Sequence, residues 1–505
     1  MPQTTPAAPA AQRTRHVDPR SLAELAELLG VPAPVADRSV TGVTHDSRAV
    51  QPGDLYAALP GAHVDGARFA ADATAAGAVA VLTDPAGVPL AEACGLPLLV
   101  VDDPRGQLGR LASRVYGDPS AALVLIGVTG TNGKTTTTYL VEAGLRAAGH
   151  TTGLIGTIET RIAGRSAPAV RTTPEATDLQ ALFGVMREQG VTAAAMEVSS
   201  HALALGRADG TSYAAGVFLN LSQDHLDFHA DMEDYFAAKA RLFDGRCAHE
   251  VVNVDDEWGR RLVTDQTVTV SSAGEQSAAW QAHAAHPLAT GGSAFTATGP
   301  DVTLPVTVAL DGDFNVGNAL AALAAIDACG IDPVAACPGL AEVTVPGRME
   351  AVDAGQDFRA VVDYAHKPGA LAAVLAALRP TVTGRLVCVV GCGGDRDTGK
   401  RPTMGEMAAR GADVLIVTDD NPRTEDPAAI RAAMLEGART VADADVREIG
   451  DRRSAIAAAI SGAARGDVVL VAGKGHESGQ EVAGAVHPFD DRAVLRELID
   501  GGSDE

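Results

Sequence analysis

The sequence predicts an α/β protein of about three domains with mainly parallel sheets. Three observations predict it. The chain has 505 residues, and a domain commonly takes about 100–200. From residue 123, "LVLIGVTGTNGKTTTTYLVEAGLRAAG" reads as strand, glycine loop and helix. From about residue 347, four apolar runs recur, each ending in a polar or glycine-rich turn and separated from the next by helical sequence. Strands that alternate with helices build parallel sheets.

The first twenty residues are rich in Pro and Ala and lack the apolar core of a signal peptide, so a disordered extension is expected over 1–20. Residues 21–118 form the first expected domain. "SLAELAELLG" has helical periodicity and ends in glycine, while "AVAVLT" and "LPLLVVDD" read as buried strands. Residues 119–346 form the second, with further strands at "AAAMEV", "AGVFL" and "HEVVNVDD". Residues 347–505 form the third, whose strands are "RAVVDYAH", "GRLVCVVGCGG", "ADVLIVTDD" and "DVVLVAGKG". Ligands of open α/β sheets gather beyond the carboxyl ends of the strands. Those four turns are therefore candidate chemistry.

Composition narrows the partners. Hydrophobic residues make up 46 % and net charge is −24, with no Lys/Arg run, which argues against nucleic acid. No apolar run of 18 residues is present, so no membrane span is expected. The six cysteines form no CxxC pair and read as reduced and mostly buried, which suits the cytoplasm.

"GVTGTNGKTT" (127–136) lies between a strand and a helix, as a phosphate-binding loop does. Its glycines let backbone N–H groups approach phosphate oxygens. Gly130, Thr131, Asn132, Gly133, Lys134, Thr135 and Thr136 are the expected contacts to a nucleoside triphosphate. Lys134 would reach the β- and γ-phosphates, and Thr135 or Thr136 would hold Mg²⁺. Counted from Gly127, the spacing is one residue longer than the usual loop. Glu197 and His225, expected near neighbouring strand ends, are candidate Mg²⁺ ligands. A zinc pair from His225 and His229 explains the phosphate loop less well. Lys239 reads as a helix lysine that snorkels to solvent.

The motifs "GVTGTNGKTTT", "RTTPEAT", "MEVSSHAL", "NLSQDHLDFH", "YFAAKARLF", "FNVGNALAA", "VPGRMEAV", "VVDYAHKPGAL", "GCGGDRDTGKRP", "DDNPRTEDP" and "AGKGHE" follow in order from about residue 40 to 490. Together they resemble the Mur ligase family, ATP-dependent amide-forming enzymes of peptidoglycan precursor synthesis. Within it the chain looks like the MurE type, which adds the third residue of the peptide.

The resemblance implies a UDP-substrate domain, a central P-loop ATPase and a C-terminal Rossmann-like domain that binds the amino acid. It implies that His45, Ser47, Ala62, His63 and Val64 surround the UDP-sugar, and that Thr172, Thr173, Ser199 and Arg207 hold the muramoyl-peptide. Leu205 departs from the glutamine that such enzymes often carry. Asn315, Arg348, Asp363 and His366 match nucleotide-side positions, with Asn318 a weaker candidate. The residue matching Lys239 is carbamylated in the family, which would turn a cation into an anionic Mg²⁺ ligand. Lys134, Glu197, His225 and Lys239 are thus the expected catalytic set.

"DNPR" marks members that accept diaminopimelate. This amino acid differs from lysine by one carboxylate, which an arginine can pair bidentately. Arg396, Asp420, Asn421, Pro422, Arg423, Gly473 and Glu477 form the expected amino-acid pocket. The resemblance implies ligation of diaminopimelate, with the meso isomer expected, to the D-glutamate γ-carboxylate of UDP-MurNAc-L-Ala-D-Glu, by a cytoplasmic monomer. The alternatives are the LL isomer or lysine as donor, a folylpolyglutamate synthetase-like ligase, and a non-catalytic nucleotide-dependent module.

Overall fold

The computed structural model describes residues 13–61, 63–275, 277–288 and 291–501. The chain divides into two compact units, Met1–Gln281 with Leu320–Gly339, and Ala282–Ala319 with Leu340–Glu505.

The first unit begins with helix α1 (Leu22–Leu29), capped by the Ser21 hydroxyl and ended by Gly30 in the left-handed conformation. Strands β1 (Gly42–Thr44), β2 (Asp54–Ala57), β3 (Ala80–Thr83) and β4 (Leu98–Val100) follow as a fully parallel sheet in that order. Helix α2 (Pro104–Val115) covers it with Leu108, Leu111 and Val115, packed beside Leu22 and Leu25 of α1.

Of the extension expected to be disordered, residues 1–12 lie outside the described residues, and residues 13–20 make specific contacts instead. Glu188 accepts the backbone N–H groups of Arg15 (3.0 Å) and His16 (2.7 Å), and Arg13 donates to Asp54. One carboxylate satisfying two backbone donors fixes the chain path there. Composition alone carried no sign of that partner.

The larger sheet of this unit holds the phosphate loop. It contains β5 (Val124–Thr129), β6 (Thr152–Ile155), β7 (Glu159–Ile162), β8 (Arg165–Pro168), β9 (Ala193–Glu197), β10 (Tyr213–Phe218), β11 (Cys247–Asn253) and β12 (Thr267–Ser271). The spatial order is β8-β7-β6-β9-β5-β10-β11-β12, with β7 and β8 antiparallel and the rest parallel. Helix α3 (Lys134–Ala147) leaves β5 through the glycine loop. Helices α4 (Ala176–Glu188), α5 (Ser200–Ala204) and α6 (Met232–Ala240) complete the part that positions the site. The central strands are buried on both faces, so they read as continuous apolar runs.

The second unit includes an antiparallel pair, β13 (Ser293–Thr298) and β14 (Thr303–Val308), followed by α7 (Asp313–Ala328), whose later residues count with the first unit. Its sheet contains β15 (Glu350–Val352), β16 (Arg359–Asp363), β17 (Leu386–Val390), β18 (Val414–Val417), β19 (Asp445–Glu448) and β20 (Val468–Ala472). The order is β15-β16-β20-β17-β18-β19, parallel except for β15. Helices α8 (Pro368–Leu378), α9 (Lys400–Gly411) and α10 (Pro427–Ala438) supply Leu371, Met404 and Met434 to one core, and α11 (Arg452–Ser461) supplies Ile456 to another. A hairpin of β21 (Gly479–Val482) and β22 (Ala485–Pro488) precedes the last helix, α12 (Asp491–Gly501).

The Arg452–Asp491 pair at 2.7 Å is fully buried, and the Arg452 guanidinium also donates to the carbonyls of Ala472 (2.9 Å) and Asp419 (3.4 Å). It thereby ties together the carboxyl ends of β20 and β18. Losing one partner of such a pair costs about 3–5 kcal/mol.

Candidate active site

In the first unit, β5 delivers the loop and α3 begins at Lys134. Gly130 has φ of +154° and Gly133 of +86°, conformations that side chains resist. The Thr131 N–H donates to the Asn220 carbonyl (2.9 Å), and the Asn132 N–H to Asn220 Oδ1 (2.9 Å). Lys134 Nζ folds back onto the carbonyls of Gly130 (2.9 Å) and Thr131 (3.1 Å).

Glu197 ends β9 beside β5 and is 1 % exposed. The Thr135 hydroxyl lies 3.0 Å from each of its carboxylate oxygens, the Thr157 N–H donates to Oε1 (2.7 Å), and the Thr157 hydroxyl to Oε2 (3.1 Å). Around the same strand end, Thr173 donates to the Glu197 carbonyl (2.9 Å) and lies 3.3 Å from the Ser199 hydroxyl, which caps α5. Thr172 meets Thr157 at 3.0 Å, and Arg207 pairs with Glu175 at 2.8 Å. Glu197, Thr135, Thr172, Thr173 and Ser199 are therefore brought together through direct contacts and the shared partner Thr157. Leu205 closes α5 and is partly buried.

Lys239 is 1 % exposed rather than snorkelling. Its Nζ donates to the Gly130 carbonyl (2.8 Å) and lies 4.7 Å from the Tyr235 ring centroid. An ammonium inside α6 stays hydrated only by reaching a surface. This one instead faces the phosphate loop, because Tyr235 and Phe236 pack α6 into the core. Lys134 and Lys239 thus share one carbonyl. His225, at φ +54°, pairs with Asp224 at 3.0 Å, and its ring stands 4.7 Å from that of His201. His229 is buried between Ser200 (3.0 Å) and Asp234 (3.2 Å), a structural arrangement that accounts for both ring nitrogens.

A hydroxyl and a carboxylate are hard oxygen donors, so Thr135 and Glu197 fit a Mg²⁺ ion. No cluster of three or more His, Cys, Asp or Glu disposed to hold a metal occurs among the described residues. An unmodified Lys239 offers only donors and cannot ligate.

His45 contacts Thr177 of α4 at 3.1 Å. Ser47 begins a short 3₁₀ turn, and His63 and Val64 are exposed. Ala62 lies outside the described residues.

In the second unit, Asp363 ends β16 and accepts the N–H groups of Met349 (2.8 Å) and Ala365 (2.7 Å). Burial raises its pKa, opposed by Arg348 and those donors. Arg348 stacks on Tyr364 at 4.1 Å, and its buried Nη1 has no hydrogen-bond partner among the described residues. Burial pushes the His366 imidazole down to about 3, helped by Lys367, Lys400 and Arg348. Asn315 donates to the Asp311 carbonyl (2.8 Å), and Asn318 to Asn315 Oδ1 (3.0 Å).

The turn beyond β18 carries four of the residues expected to bind the amino acid, Asp420, Asn421, Pro422 and Arg423. Asp420 is buried, which raises its pKa. Asn421 Nδ2 donates to Glu477 Oε2 (2.9 Å). Gly473 has φ of +112°, and a Cβ there would sit 2.8 Å from Asp420 Oδ2, so only glycine fits. Pro422 precedes Arg423, which takes φ of +53° and bridges to Val482 in the hairpin. The Arg423 guanidinium donates to the Gly394 carbonyl and lies 3.2 Å from Glu481. Arg396 is exposed, on the loop after β17.

Sequence reasoning missed Thr157, Tyr235, Glu481 and Lys474. Lys474 left a signal, since it directly follows the apolar run "VVLVAG" yet is 0 % exposed.

Three family models match successive stretches of the chain. Residues 39–116 match a family model described as Mur ligase family, catalytic domain, residues 128–326 match the Mur ligase middle domain, and residues 347–475 match the Mur ligase, glutamate ligase domain. A protein of Streptomyces avermitilis named UDP-N-acetylmuramoyl-L-alanyl-D-glutamate--2,6-diaminopimelate ligase is 56 % identical over 97 % of this chain and 98 % of its own length. One of the same name from Corynebacterium efficiens is 52 % identical over 98 % of this chain and 97 % of its own. A solved structure of a ligase of that name is 34 % identical, covers 96 % of this chain and all of its own, and has a TM-score of 0.70.

Proposed function

The chain belongs to the Mur ligase family, and we propose that it uses ATP to join 2,6-diaminopimelate to the γ-carboxylate of D-glutamate in UDP-N-acetylmuramoyl-L-alanyl-D-glutamate. The near full-length likeness to ligases of that name carries this reading. Residues 21–118 would hold the UDP end, 119–346 the ATP, and 347–505 the incoming amino acid. A cytoplasmic monomer suits the three soluble substrates, and no helix among the described residues is long and apolar enough to cross a membrane.

A carboxylate is a poor acyl donor, so the γ-phosphate of ATP would first convert it to an acyl phosphate. The loop N–H groups and Lys134 would hold the β- and γ-phosphates, and Lys134 would exchange its two loop carbonyls for phosphate oxygens. Arg348, whose buried Nη1 has no hydrogen-bond partner among the described residues, would offer a phosphate oxygen a donor. Mg²⁺ held by Thr135 and Glu197 would supply charge neutralisation on the transferred phosphoryl group. A carbamylated Lys239 and His225 are the further proposed ligands. Carbamylation would also remove one of two ammonium groups that share the Gly130 carbonyl.

Thr172, Thr173, Ser199 and Arg207 would orient the peptide so that its carboxylate meets the phosphoryl group. Arg423, with Arg396, would pair the distal carboxylate of diaminopimelate, while Asp420 and Glu477 accept from its ammonium groups and Asn421 holds Glu477 in place. An amine of diaminopimelate would then attack the acyl carbon, forming the amide as the bond to phosphate breaks and the amine nitrogen gives up a proton. Lysine would present a cation where Arg423 sits, so repulsion adds to selectivity.

ADP release should require both the UDP-linked dipeptide and diaminopimelate. ADP formed equally well without the amino acid would reject the ligase reading.

A further inference from the structure

Lys474 follows β20 and lies wholly inside the protein. Its Nζ donates to Asn421 Oδ1 (2.9 Å) and Glu477 Oε2 (3.2 Å), and stands 3.7 Å from Asp420 Oδ1. The ammonium therefore makes two hydrogen bonds and one longer ion-pair contact. Its partners come from two separate turns, those beyond β18 and β20.

The amide of Asn421 is held at both ends. Its oxygen accepts from Lys474 and from the Glu481 N–H (3.0 Å), while its nitrogen donates to Glu477 Oε2 (2.9 Å). This network sets the amide orientation. Glu477 is bound through Oε2 alone. Oε1 has no hydrogen bond among the described residues, and the side chain is 34 % exposed. One oxygen is thus anchored while the other remains an acceptor.

A buried ammonium is costly even when paired, and an apolar side chain of similar volume is often as stabilising. Packing alone does not account for a lysine here. Without the cation, Asp420 and Glu477 would face each other as like charges, and the Asn421 amide would lose its reference donor.

We propose that Lys474 is a positioning residue for the incoming amino acid, locking Asn421 and Glu477 into one rigid pair whose remaining acceptor, Glu477 Oε1, takes an ammonium group of a diamino dicarboxylate. This rests on the ligase reading above. Lys474 acts through its neighbours and touches no reacting atom.

The test compares KM for diaminopimelate, kcat, ADP affinity and thermal midpoint in the full-length enzyme and in Lys474→Met, Lys474→Gln, Glu477→Gln and Lys474→Met/Glu477→Gln. Both Lys474 variants should raise KM for diaminopimelate at least tenfold and leave ADP affinity within twofold. The double variant should raise it little beyond Glu477→Gln alone, because both changes disable one acceptor. An unchanged KM, independent effects that multiply in the double variant, or loss of folding in both single Lys474 variants would overturn the proposal. If the unaltered enzyme shows no turnover dependent on diaminopimelate, the ligase reading fails first. If it does and the variants match it, only the role of Lys474 falls.

Discussion

The Thr135 hydroxyl lies 3.0 Å from both carboxylate oxygens of Glu197, joining the first turn of α3 to the end of β9. One side chain comes from the phosphate loop and the other from a neighbouring parallel strand. Their register follows from β9 pairing with β5, where Glu197 stands opposite Val128. Removing the carboxylate with Glu197→Gln should lower kcat about 100- to 1000-fold, the scale of losing one charge-stabilising group at a transferred phosphoryl. Steady-state kinetics and binding of the UDP-linked dipeptide check it, with affinity for that substrate expected within threefold. A kcat within threefold of the unaltered enzyme would remove Glu197 from the chemistry.

Lys239 contacts the same loop through the Gly130 carbonyl. Lys239→Ala should lose most activity, and short carboxylic acids added to the assay should restore part of it, by supplying the anion a carbamate would have placed there. Intact-mass measurement of the native enzyme under bicarbonate should show the added carbon dioxide. Full activity in the variant would contradict the assignment.

Arg423 is already aimed by Glu481 and by the Gly394 carbonyl. Arg423→Ala should cost about 2–3 kcal/mol of amino-acid binding, or about 30- to 150-fold in KM for diaminopimelate. Affinity for ADP should stay within twofold by titration calorimetry. A comparable loss of ADP affinity would place this arginine elsewhere.

His366 gives a pH dependence with a defined sign. Burial and three nearby cations hold the folded imidazole neutral down to about 3, whereas an unfolded one protonates near about 6.5. Below that value the unfolded chain binds a proton the folded chain lacks, so stability falls as pH falls from about 6.5 towards 3. The slope from one such group is at most about 1.4 kcal/mol per pH unit. Denaturant unfolding at pH 7.5 and 5.0 should show a smaller loss for His366→Gln than for the unaltered chain. Equal losses would contradict a neutral buried imidazole.

The sequence was most legible where the backbone and burial act together. The run before the phosphate loop became β5, and the four apolar runs after residue 347 became β16, β17, β18 and β20, because strands buried on both faces need unbroken apolar residues. β19 escaped notice because it is an edge strand, "DVRE", with little to bury. Lys239 read as a surface lysine because periodicity cannot tell a helix face that meets a loop from one that meets water. Lys474 and Glu481 went unremarked because their partners, Asn421 and Arg423, lie more than fifty residues away in sequence and become neighbours only through the sheet.

The most direct measurement is a competition. The enzyme receives ATP, Mg²⁺, the UDP-linked dipeptide, and equal concentrations of diaminopimelate and lysine, and the UDP-linked product is weighed by mass spectrometry. The account predicts a tripeptide carrying diaminopimelate almost exclusively. A product carrying mainly lysine would contradict it.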